Sequence, residues 1–173
     1  MTKEYESYFE TLERLRMDLL YTVSALPPDA LMRSPDGDAW SVQQHVHHLL
    51  LSDEEVIRQA TRPSQSRKPR SPKSLWTVAL VCRAPHVFPN IPVPEDLVDP
   101  SEAGRLALDE MTARWDATRA LLRHHLKHLT PYSRGLTMYH HPMTGRLDTI
   151  QTLRLMEAHT THHFRKIQEL AGN

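Results

Sequence analysis

Long stretches of this chain place an apolar residue at every third or fourth position, a period that buries one face of an α-helix and no face of a strand. Tyr5, Tyr8, Phe9, Leu12, Leu15, Leu19 and Val23 form the first stripe. It runs to about Ala25, where Pro27 and Pro28 end the helical hydrogen bonding. After a polar, turn-prone link holding Pro35, Asp36 and Gly37, Ser41 and Gln44 have the spacing of a capping box. In such a box the hydroxyl accepts from a first-turn amide while the Gln44 side chain reaches back. A second long helix is therefore expected from about residues 40–42 to about Ala60. Ser101 opens a third, through about His128, with Leu106, Met111, Trp115, Leu122, Leu126 and Leu129 as apolar positions and Pro131 as its stop. Asp148, with Gln151 three residues on, opens a fourth that reaches about Leu170. No segment alternates convincingly as a strand does, and no internal repeat is present. The stretch through Tyr139, His140, His141, Pro142 and Gly145 reads as a loop.

The connections are unequal. Residues 62–100 hold 8 of the 13 prolines, and so long a link without secondary structure is uncommon in a compact domain. A short helix at about Lys73 to Cys82 is therefore expected inside it. Four long helices with one long crossover describe an all-α four-helix bundle, here one domain over residues 1–173. The start of the crossover carries Arg62, Arg67, Lys68, Arg70 and Lys73 with no acidic residue. This run lacks interleaved aromatics and belongs to a chain with 21 basic and 21 acidic residues, so it reads as a solvated loop and no nucleic-acid partner is expected. Electrostatic attachment to anionic lipid is not expected either. The most apolar stretch, Leu75 to Cys82, is far short of the roughly 20 residues of a membrane span. A single cysteine, Cys82, makes neither an intrachain disulfide nor a thiolate metal cage, and the start MTKEYESYFE lacks the pattern of a signal peptide. A cytoplasmic protein is expected.

Histidine is the residue type out of proportion, 12 against only 5 Gly. The last helix carries His159, His162 and His163. Positions four apart share a helix face, so His159 and His163 can direct two imidazoles at one ion. At 100 degrees per residue, Met156, Ile167 and Leu170 fall on the side of this pair, whereas His162 falls on the other side, near Arg165 and Lys166. Two inward imidazoles need partners, because an unsatisfied buried polar group is costly. Hydrogen-bonded core histidines are one answer and a metal ion is the other. The second helix adds His45, His47 and His48. The wheel puts His47 on the polar side and leaves both His45 and His48 at the rim of the apolar arc of Val42, Leu49 and Val56. Three imidazoles from two facing helices, with an open position, form a usual catalytic site for a zinc-like ion. Other chemistries have no counterpart here: HExxH, the Glu-x-x-His pairs of di-iron bundles, GxSxG and GxxxxGK[ST] are all absent.

The run Trp40-Ser41-Val42-Gln43-Gln44, with His48 and Leu49 following, resembles the second-helix signature of the DinB/YfiT-like proteins. His141-Pro142, Gly145, Leu147, His159, His162-His163 and Ile167 resemble their closing signature, and Pro92, Pro94 and Pro100 resemble their proline-punctuated connection. The resemblance implies a bundle in up-down-down-up order, often dimeric, with a divalent ion (Ni, Zn or Mn) held by His48, His159 and His163. It is this likeness that selects His48 over His45. Two positions depart from the family pattern: Lys166 stands where Gln is frequent, and Asp53 where some members have a further His.

The implied activity is that of a metal-dependent hydrolase or of a transferase joining a low-molecular-weight thiol to an electrophile, with a small-molecule substrate. The alternative is a non-catalytic bundle whose ion is structural or sensory. Asp53, Glu55 and Glu157 are carboxylates on the two ligand helices, with solvent-facing positions as their ordinary explanation, and none is assigned as general base. Tyr139 and His141, ahead of the last helix, are candidates to line a pocket, with ordinary loop packing as the alternative.

Overall fold

A computed structural model describes residues 1–35, 39–62, 68–83, 106–133 and 135–172. The turn residues Asp36 and Gly37, Arg67 of the basic run, the prolines Pro92, Pro94 and Pro100, and the expected cap Ser101 lie outside the described residues.

Helix α1 (Lys3–Ser24) begins where the Thr2 side chain accepts from the Tyr5 amide, and it buries Tyr5, Phe9, Leu12, Leu19 and Val23 of the expected stripe. A short helix, α2 (Pro28–Met32), follows where sequence reading assigned none. Its Pro28 occupies the first turn, where a missing N–H breaks no helical bond. Helix α3 (Val42–Ala60) starts with the expected Ser41/Gln44 capping box, both halves formed. Helix α4 (Pro72–Arg83) is the short helix of the crossover.

Helix α5 (Leu108–His128) starts later than Ser101, with Ala107 as a cap that makes no side-chain bond. A tertiary bond accompanies that start: Gln43 Nε2 donates to the Leu106 carbonyl at 2.8 Å. Asp109 and Glu110 in the first turn face the positive end of the helix dipole. After a 3-10 turn at Pro131–Ser133, the segment expected to be a loop is a hairpin. Its strands are β1 (Tyr139–His141) and β2 (Gly145–Leu147), paired antiparallel with Tyr139 opposite Leu147. Three-residue strands are too short to show an alternating pattern, which is why periodicity did not reveal them. Gly145 adopts φ +81, and a Cβ there would come within 2.7 Å of Ser71 Oγ, so the turn requires glycine on both counts. Helix α6 (Thr149–Ala171) starts with the Asp148/Gln151 capping box.

Side-chain bonds fix the helix directions. From α3 to α5 the partners advance together, Gln43 with Leu106 and then Asp53 with Trp115, so these helices run parallel. From α1 to α5 they run opposite ways, Arg16 with Asp116 and Glu13 with Arg119. From α3 to α6 they also run opposite ways, His45 with His163 and His48 with His159. The order is up-down-down-up. The crossover helix α4 lies on α6, where Ser74 Oγ donates to Gln151 Oε1. Residues 68–71, from the basic run, pair with the hairpin region, and Arg70 binds Asp148 at 2.6 Å.

The core has two apolar clusters. One holds Tyr5, Phe9, Leu12, Ile57, Leu122 and Leu153, and the other Leu19, Val46, Leu50, Trp115 and Ile167. Along α1, α3 and α5 a buried polar belt separates them: Arg16, Asp53 and Arg119. Asp53 accepts from Trp115 Nε1 at 2.6 Å and pairs with Arg119 at 2.8 Å. Burial raises its carboxyl pKa, and Arg119 and the indole N–H pull against that. Among the described residues, no helix is long and apolar enough to cross a membrane.

Candidate metal centre

Antiparallel packing of α3 against α6 brings histidines together as two rungs. His48 and His159 face each other through their Nε2 atoms at 3.0 Å. One turn along, His45 and His163 face each other through their Nδ1 atoms at 2.8 Å. His163 Nε2 also lies 3.0 Å from His159 Nε2. One nitrogen from each of His48, His159 and His163 thus falls within 4.8 Å of the other two. Zinc–imidazole bonds of roughly 2.0–2.1 Å would set tetrahedral neighbours about 3.3–3.4 Å apart, so the two 3.0 Å pairs need to open by only a few tenths of an ångström. The donor set therefore suits a divalent ion of the zinc or nickel type.

The protonation of the cluster suits ligation as well. His163 is buried and His159 partly so. Burial, followed by the neighbouring imidazole charge of His48 for His159 and of His159 and His48 for His163, holds both well below the usual 6.5. His45 is pulled down to about 4 by burial and then by His48, His162 and Lys166. Neutral imidazoles offer lone pairs, which metal binding requires.

Trp40, which sequence reading used only as part of a likeness, closes this end of the cluster. Its ring stacks on His163 (5.9 Å between centroids, 11° between planes) and meets His45 edge-on at 5.3 Å. Its position was legible: Trp40 directly precedes the Ser41 cap and His45 is the fourth helical residue, the two places joined in a hydrophobic staple.

Of the other candidate residues, His47 departs most from expectation. His47 is 2% exposed, not on a polar surface. It shares a face with Gln43 and Glu54, which bond across to Leu106 and Arg114 of the α5 side, so the polar side of the wheel is covered by a third helix. His162 is half-buried, with its ring edge-on to His163 at 5.1 Å. Asp53 belongs to the polar belt and faces α5. Glu55 is engaged by Arg58 and Gln59. Tyr139 is part of the core. His141 is half-buried, and its Nδ1 accepts from the amides of Met143 and Thr144, each at 3.3 Å. Burial, then His140, lowers it to about 4, and its charge reaches His159.

Fold and site together describe a helical bundle in which two antiparallel helices bring three imidazole nitrogens to a common point, a donor set of the kind that suits a metal ion. A sequence profile of the DinB superfamily matches residues 11–167. The chain belongs to the DinB superfamily. Among solved structures it is similar to YfiT from Bacillus subtilis, described as a probable metal-dependent hydrolase with an unusual four-helix bundle topology. The two share 21% identity and a TM-score of 0.60, over 99% of this chain and 89% of that one. Among curated proteins, none matches the sequence.

Proposed function

We propose that this protein is a divalent-metal-dependent enzyme acting on a small-molecule substrate, with His48, His159 and His163 as the protein ligands of the ion. The observation that carries this reading is the convergence of three imidazole nitrogens within 4.8 Å of one another. A divalent ion held there would supply Lewis acidity toward a carbonyl, or lower the pKa of a water or thiol. The similarity to YfiT supports a hydrolase first. A transferase of low-molecular-weight thiols is the second activity to assay, since it draws on the same acidification.

The chain's own residues supply the setting. Trp40 covers the cluster on the His163 side and limits water there. His141, whose Nδ1 is taken by two backbone amides, carries its proton on Nε2 when neutral, so Nε2–H is the donor it would offer a substrate oxygen. With Asp53 and Glu55 occupied by other partners, no carboxylate is assigned as base. The reading places the protein in the cytoplasm, where a lone Cys82 stays reduced.

After reconstitution with Ni, Zn or Mn, elemental analysis should find about one ion per chain. No bound metal under any of these conditions overturns the reading. Turnover of generic esters against turnover of thiol-plus-electrophile pairs then separates the two activities. A homodimer is part of the same proposal, supported by Met17 and Tyr21, which stand 63% and 79% exposed on α1. Sedimentation should give twice the 20.0 kDa of one chain. A mass near 20.0 kDa at micromolar concentration rejects the dimer.

A further inference from the structure

The fourth imidazole of the cluster, His45, is not one of the three converging nitrogens. Its Nδ1 lies 2.8 Å from His163 Nδ1, while the other nitrogen of the His163 ring, Nε2, faces His159. We propose that His45 is a positioning residue for the metal centre: its bare Nδ1 accepts a hydrogen bond from His163 Nδ1–H and so holds His163 as the tautomer whose Nε2 lone pair is free to ligate. This inference rests on the three-histidine reading above.

Proton counting carries it. A neutral imidazole has one N–H. Ligation through His163 Nε2 requires that proton on Nδ1, and a proton facing a nitrogen at 2.8 Å requires that nitrogen to be bare. His45 then carries its own proton on Nε2. The reverse arrangement, with His45 Nδ1–H donating, would put the His163 proton on Nε2, pointing at His159, and remove the ligand. One hydrogen bond thus sets the tautomers of two rings. Metal-bound histidines generally donate their second N–H to a carboxylate, a backbone carbonyl or water. A neutral imidazole in that place orients the ligand and adds no negative charge to the centre.

The position follows from spacing. His45 is three residues before His48 and His163 is four after His159 on helices running opposite ways, so the second rung falls beside the first. Trp40 packs on both rings of that rung, stacked on His163 and edge-on to His45, which restrains either ring from turning away.

The test compares Zn2+ affinity, by chelator competition, in the wild type, His45→Phe and His45→Asn, with the metal-free melting temperature of each. Phe keeps a ring and has no acceptor, whereas Asn puts an amide oxygen close to where Nδ1 was. His45→Phe should bind Zn2+ about 10- to 100-fold more weakly, and His45→Asn should recover most of that loss even where its metal-free melting temperature is no higher than that of the Phe variant. Long-range 15N–1H spectra of the Zn2+-loaded wild type should show the His163 proton on Nδ1, a readout independent of whether either variant folds. Unchanged Zn2+ affinity in the Phe variant or no recovery with Asn would overturn the inference and leave the three ligands standing, whereas a His163 proton on Nε2 would overturn the inference together with His163 Nε2 as a ligand atom. Loss of the ion in His45→Phe as complete as in His163→Ala would also overturn it, by making His45 a ligand. A wild type that takes up no metal removes the three-histidine reading and this inference together.

Discussion

His162 and His163 are neighbours in sequence and about 100 degrees apart around α6, so a count of histidines cannot distinguish them but a structure does. His163 Nε2 faces His159 at 3.0 Å, whereas the His162 ring meets the His163 ring edge-on. Replacing His48, His159 or His163 by Ala should reduce retained metal far more than the roughly 10- to 100-fold typical of losing a partner behind a ligand. His162→Ala and His47→Ala should keep the ion, with His47→Ala losing stability because that side chain is 2% exposed against α5. The check is a side-by-side metal titration with thermal melts. Release of the ion by His162→Ala as complete as by His163→Ala would show the inward face misassigned by one residue. Asp53 carries a related lesson. Five residues beyond His48, it lies on another face of α3 and is held by Arg119 and Trp115, so a carboxylate on a helix that also bears a proposed ligand is part of a structural ion pair.

Among the elements, α6 is anchored by the residue just before it. Asp148 Oδ1 accepts from the Gln151 amide, Oδ2 takes Arg70 at 2.6 Å, and Gln151 Oε1 returns to the Asp148 amide. One carboxylate therefore caps the helix that bears two of the three proposed ligands and tethers the crossover segment to it. Asp148→Ala should destabilise the metal-free protein by about 1–2 kcal/mol, mostly through the cap. The half-exposed Arg70 adds little, as surface ion pairs do. Chemical denaturation measures this directly, and an unchanged midpoint would show that the box is dispensable. The hairpin teaches a similar point. Its strands are three residues each and gain their place by bonding residues 68–71, with Arg70 donating to Gly135 O and Ser71 to Arg146 O, so nothing local in the sequence announces them.

For the whole molecule, the buried histidines set the acid response. Folded His45 and His141 titrate at about 4, and His159 and His163 well below 6.5, while the unfolded chain takes up those protons near 6.5. The unfolded state thus binds more protons throughout that window, so stability is full above about pH 6.5 and falls as the pH drops toward 4. The fall should be visible in the denaturation midpoint already between pH 6.5 and 5, above the range of ordinary carboxylates. A midpoint that is flat or rises there contradicts the burial of these rings. Metal affinity follows a related course: proton competition at His159 and His163 is displaced below that of free histidine, which extends ion retention to lower pH than the imidazole value alone suggests.

Four long helices, their two capping boxes and the HxxxH pair were all legible in the sequence, because each rests on spacing within one element, and helical periodicity survives whatever the element packs against. Tertiary structure decided the remainder. The start of α5 at Leu108 lies at a contact with Gln43, the burial of His47 follows from a third helix covering the polar side of α3, and the hairpin depends on residues some 70 positions earlier. The wheel left His45 and His48 equivalent, since both border the same apolar arc. The family likeness chose His48 without a physical reason, and the antiparallel register of α3 against α6 supplies one, setting His48 Nε2 toward His159 and His45 Nδ1 toward His163. The direction of a side chain within a site is a property of two helices at once, and no pattern along one of them contains it.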